Sequence, residues 1–186
     1  MPLGLTGGGE SGGVFKYDAK DGFMKLDGEE LPKNASWVMD FENAETGWMA
    51  FAPFSDFSHL VKVGNPWGPN PQPGTKEERS PYRIGFKIMC YSEKHLGGVK
   101  ELMSNTKKTK DGMELLSVEY DEGIGSNAGK LPVVQLKSTI EIKETGGGKN
   151  YQPVFGIVKW VDRPAEMNGG AAPAPAAAAE SDEPEF

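Results

Sequence analysis

A chain of 186 residues, 37% of them hydrophobic, is long enough for one domain with a core and, once its low-complexity ends are set aside, too short for two. Its 25 glycines and 14 prolines exclude a long-helix architecture and predict many turns and short strands, an all-β or β-rich fold. A formal charge of −7 excludes a uniformly basic surface, and the single cysteine, Cys90, excludes an internal disulfide.

The start, Met1-Pro2-Leu3-Gly4-Leu5, lacks the basic and apolar regions of a signal peptide, and no run reaches 18 apolar residues, so the expectation is a soluble, cytoplasmic protein. The sequon Asn34-Ala35-Ser36 is then a chance match, and Cys90, in an apolar run, reads as a buried small hydrophobe. Residues 1–13, with six glycines, read as a flexible arm ahead of a domain over 14–164. Strand-like segments between turn signals follow at 14–17, 36–42, 48–52, 60–63, 82–91, 133–142 and 151–161. Segments 36–42 and 48–52, around Asn43-Ala44-Glu45-Thr46-Gly47, predict a hairpin; a second is expected around 145–150.

Between Gly97 and Gly123 the spacing of Val99, Leu102, Met103, Met113, Leu115, Leu116 and Val118 predicts one or two helical segments. A helix between strand groups fits an OB-fold-like five-stranded barrel with extra strands and loops, whose open face takes up oligonucleotides. The loop 64–74 holds four prolines and cannot lie inside a sheet, because proline lacks the N–H a ladder needs. Its Trp67 is either pinned under the loop or presented to a ligand.

Charge is segregated along the chain. Residues 166–186 hold five acids and no Lys or Arg, which leaves about −2 for the remainder, and residues 76–110 hold nine basic residues against four acids. Phosphate affinity follows local charge, so this stretch is a candidate polyanion surface. Within it, a strand over 82–91 would bury Tyr82, Ile84, Phe86, Ile88 and Cys90. It would turn Arg83, Lys87 and Tyr91 outward beside Gly85, whose missing side chain would let a ligand approach. Cations that track phosphates beside aromatics that stack on bases are what strand binding without sequence readout requires. The candidate DNA-binding set is Lys62, Trp67, Lys76, Arg79, Arg83, Lys87, Tyr91, Lys107, Lys108, Lys110, Lys149, Tyr151 and Lys159. Most other aromatics, Phe41, Phe51, Phe86 and Phe155 among them, read as core.

Catalysis finds no support. His59 and His95 lack the partners of a zinc site, and Gly125-Ser126-Asn127-Ala128-Gly129-Lys130-Leu131 has the wrong glycine spacing and a leucine where a phosphate loop needs Ser or Thr. No catalytic residue, metal or cofactor is expected.

From residue 165 the composition becomes an Ala/Pro linker ending in Asp182-Glu183-Pro184-Glu185-Phe186. Such a segment is too poor in apolar surface to fold, and reads as a disordered tether. In linker type and in this terminal peptide the chain resembles the single-stranded DNA-binding proteins of bacteria and their phages. The resemblance implies non-catalytic, sequence-independent binding of single-stranded DNA in phage or bacterial replication, recombination and repair. It further implies that Asp182, Glu183, Glu185 and Phe186 recruit replication or recombination proteins, and that the acids compete with DNA. The alternative is a protein-interaction or virion β-barrel component whose tail only solubilises or recruits.

Overall fold

A computed structural model describes residues 14–53 and 55–168; the expected arm over 1–13 and the tail residues Asp182, Glu183, Glu185 and Phe186 lie outside the described residues. In chain order the elements are β1 (Phe15–Asp18), β2 (Phe23–Leu26), β3 (Glu29–Glu30), β4 (Ser36–Met39), a 3-10 turn (Phe41–Asn43), β5 (Glu45–Ala50), β6 (Asp56–Lys62), β7 (Arg83–Ser92), the one-turn helix α1 (Glu93–Leu96), β8 (Gly98–Ser104), α2 (Lys107–Ile124), β9 (Lys130–Lys143), β10 (Lys149–Asp162) and a last 3-10 turn (Ala165–Met167). The expected β-rich class is what the chain forms: one large mixed sheet with two helices.

The centre is β7, whose alternation behaves as its sequence dictates. Phe86, Ile88 and Cys90 are buried on one face, while Arg83, Lys87, Met89 and Tyr91 lie on the other. The hairpin expected between 36–42 and 48–52 does not form. Instead β4 runs antiparallel to β7 at Cys90 and Tyr91, and β5 runs antiparallel to it at residues 83–87. The turn Phe41–Asn43 offsets the chain without reversing it, so β4 and β5 act as one long interrupted strand along β7.

That arrangement yields the OB-fold connectivity. The interrupted strand, β7 and β8 are neighbours, α2 follows β8, β9 pairs back onto β4, and β10 closes a long hairpin with β9. Two features depart from it. The seven expected strands become ten, because 23–26 and 29–30 pair beside β1 and 98–104 add a strand on β7; lacking apolar alternation, neither N-terminal segment carries a strand signal. That N-terminal hairpin also fills the gap between β8 and β10: Phe15 pairs in parallel with Leu102, and the Tyr151 amide donates to the Ala19 carbonyl at 2.7 Å. Residues 98–104, expected to be helical, form β8, since the ladder offered by β7 along 86–92 outweighs a weak local helical pattern.

The main core gathers Phe15, Trp37, Met39, Ile88, Leu102, Leu116, Val134 and Phe155, with Trp37 edge-on to Phe15 at 5.1 Å. Helix α2 covers β10 closely: a side chain at Gly112 would collide with the Pro153 backbone, so an otherwise unfavourable helix glycine sets the contact distance. Beyond β10, Arg163 forks onto buried Asp40 at 2.5 and 2.9 Å and reaches Glu42 at 3.0 Å. The chain stays packed past the expected boundary at 164: Met167 is buried with Val38, Leu131 and Val133, against Met89, Tyr91 and Val99.

Candidate nucleic-acid interface

Three lysines, Lys107, Lys108 and Lys110, occupy the first turn of α2, which holds no acid, and the N-cap Thr106 makes no side-chain cap to the helix. Positive charge at a helix N-terminus opposes the macrodipole at about 0.3–1 kcal/mol per residue, so this arrangement weakens the helix and creates a strongly electropositive end. Lys107 is partly compensated by Asp111 at 2.7 Å, in the weaker order with the cation N-terminal.

This end opens onto a groove of about 830 Å³ that holds Lys16 and Lys20 from the start of the chain, Lys107 and Lys108, Met103, Asn105, Thr106 and Asn150. A second hollow of about 550 Å³ shares Lys16, Phe51 and Met103 with it and adds Met89, Val99 and Lys100, so the two form one path over the outer faces of β1, β8 and β7. Of the three acids on the path, Asp18 holds Lys25 at 3.0 Å and Glu144 accepts from Asn150, while Glu101 is exposed beside Lys100. Phe51 stands over the junction, 37% exposed and backed edge-on by Phe57 at 5.3 Å. A ring supported from behind and open on one face suits base stacking.

The structure divides the expected residues. Lys107 and Lys108 line the path, and Lys87 lies beside Met103 as its cross-strand neighbour, but its ammonium is held by Glu45 at 2.5 Å. Arg83 is exposed at the start of β7, on the face of Lys87. The expected access at Gly85 is closed: a side chain there would collide with Met49 and with the Ser104 carbonyl, so the glycine accommodates packing rather than a ligand. Tyr91 lies beneath the last turn at Met167; burial, with Glu166 nearby, raises its phenol above the ordinary range.

The others lie elsewhere. Lys110 donates to the Ile84 carbonyl at 2.7 Å, on the α2 side of the sheet, and Trp67 bonds Thr46 Oγ1 at 3.0 Å on that same side. Lys62 is exposed on β6, 3.5 Å from Asn43. Lys76 and Arg79 are exposed in the loop before β7. Lys149 pairs with Glu141 at 3.2 Å, Tyr151 packs over Gly22, and Lys159 lines a hollow behind α2 with Glu119 and Glu122. The path residues missed from sequence are Phe51, Lys16 and Lys20; Lys100 belongs to the basic stretch 76–110. Phe51 follows an apolar strand and reads as core, and the lysines near residue 20 lie in an acid-rich stretch, so no local signal marks them.

No family model, curated protein or solved structure matches this chain, so a functional reading rests on its own residues. No helix among the described residues is long and apolar enough to cross a membrane.

Proposed function

We propose that this chain binds single-stranded DNA without catalysis and without reading sequence, serving phage or bacterial replication, recombination and repair in the cytoplasm. The observation that carries the reading is the acid-free first turn of α2, whose Lys107 and Lys108 line a groove that passes under Phe51. Residues that weaken their own helix while lining a groove are better accounted for by an anionic ligand than by folding. The unpaired strand follows from Phe51, because a ring can stack only on bases not already stacked in a duplex. The acidic tail, ending in Phe186, supplies the second element: its charge competes for the lysine path, and its terminal aromatic recruits partner enzymes.

Fluorescence titration at low salt, with oligonucleotides of both kinds, tests this. Single strands should bind well ahead of duplex, with a log–log salt slope of about −0.7 per phosphate neutralised. Equal binding of the two removes the reading. Deleting residues 180–186 separates it from a protein-interaction or virion role: affinity for DNA at low salt should rise, whereas no change would favour the latter.

A further inference from the structure

On the face of the sheet opposite the lysine path, α2 and the loop after β6 enclose another groove, of about 330 Å³. Its floor is apolar, with Ile84, Phe86 and Met113, and its outer wall carries Val63 and Trp67, 56% and 50% exposed. The loop is fixed in place by the Trp48 indole, which donates to the Gly68 carbonyl at 2.9 Å, and by the bond from Trp67 to Thr46. The groove is therefore built rather than a gap under a loose segment.

Its electrostatics are the reverse of the lysine path. The α2 wall presents Glu114 and Asp121, both exposed, and among the described residues neither carboxylate has an ion-pair partner. The cation in the lining, Lys110, is turned inward onto the Ile84 carbonyl. Between residues 111 and 129 the chain holds five acids and no Lys or Arg, and the last turn of α2 has no basic residue. Asp121 and Glu122, in the last turn, oppose the macrodipole of α2 as the lysines do at its start. Asp111 and Glu119 have structural partners in Lys107 and the Ile157 amide; Glu114 and Asp121 have none that explains them.

We infer that this groove is a protein-docking site that takes a partner segment carrying an apolar or aromatic side chain flanked by Lys or Arg. The apolar floor and the half-exposed Trp67 are the kind of pocket that anchors one buried side chain. The unpaired carboxylates on the rim select cationic flanks and repel phosphate, so DNA is the wrong occupant. Because the lysine path lies on the other face, both can be filled at once.

The test is selection of a random twelve-residue peptide library, displayed on phage, against the full-length chain, with and without saturating oligodeoxythymidylate. Selected peptides should pair Leu, Phe or Trp with adjacent Lys or Arg, and oligonucleotide should leave their binding unchanged. Trp67→Ala should weaken a selected peptide by about tenfold or more. The double change Glu114→Lys with Asp121→Lys, at exposed positions that leave the fold intact, should weaken it by about tenfold. Both variants should keep their affinity for single-stranded DNA, which separates failure here from failure of the DNA reading. No selected peptide, peptides without basic residues, equal binding to both variants, or displacement by oligonucleotide would each overturn the inference.

Discussion

The lysine path and the acid-rimmed groove lie on opposite faces of β7, and α2 contributes to both, its first turn to one and its later turns to the other. The helix thus ends with its charge backwards, lysines in the first turn at the positive end of its dipole and Asp121 and Glu122 in the last turn at the negative end. On the lysine path, cations distant in the sequence converge, and two of the three acids, Asp18 and Glu144, are engaged. On the other face the single lining cation is turned away and the acids are left unpaired. The contrast teaches that net charge says little here: one sheet separates two surfaces of opposite sign.

The largest effect is expected at the structural end of the acid-rimmed side. Arg163→Ala would leave Asp40 charged and buried, and should destabilise the chain by about 3 kcal/mol in urea unfolding. Asp40 and Glu42 flank Phe41, which stacks on Tyr120 at 4.5 Å in the wall of that groove, so peptide docking should suffer while DNA affinity of the folded fraction holds. Burial opposes the charge on Asp40, but Arg163 and Asn43 outweigh it and hold the carboxyl below its ordinary 3.8. A lowered folded value means the stabilisation is complete above the ordinary value and is lost as pH falls through the folded one. The wild type should therefore show an acid-driven loss of stability below about pH 4 that the Arg163→Ala variant lacks.

Reversing the lysine path tests its other side. Lys107→Glu with Lys108→Glu should reduce single-stranded DNA affinity by about a hundredfold at low salt and flatten the log–log salt slope by about 1.4, measured by fluorescence titration. Phe51→Ala should cost about 1–3 kcal/mol of binding with little change in salt slope, since it removes stacking rather than charge. The smallest effect is the sharpest check on α2. Lys107→Gln and Lys108→Gln should each raise thermal stability, by about 0.3–1 kcal/mol, while weakening DNA binding. Lysines that served the fold would move both measurements down together.

Some of this was legible in the sequence because it is local. The alternation of 82–91 places Phe86, Ile88 and Cys90 inward and Arg83 and Lys87 outward, and the glycine-rich turn before Asn150 marks the β9–β10 hairpin. The offset between β4 and β5 was not legible, since the Gly47 that resembles a hairpin closure lies inside β5 and pairs with Gly85. Nor could the sequence show that Met49 fills the space above Gly85, that Met167 covers Tyr91, or that Phe51 is half outside the core. Each depends on a covering segment distant in the chain.

By itself, then, the sequence determined the β-rich class, the two faces of β7, the exclusion of the proline-rich loop from the sheet and the segregation of charge, because each follows from periodicity, backbone chemistry or composition over a few residues. Only the tertiary structure decided that Lys16 and Lys20 join Lys107 and Lys108, that Trp67 and Lys110 belong to the opposite face, and that α2 borders two grooves of opposite sign. Alternation tells which side chains share a face. Which strand lies alongside and which segment lies on top are set by packing across the whole chain.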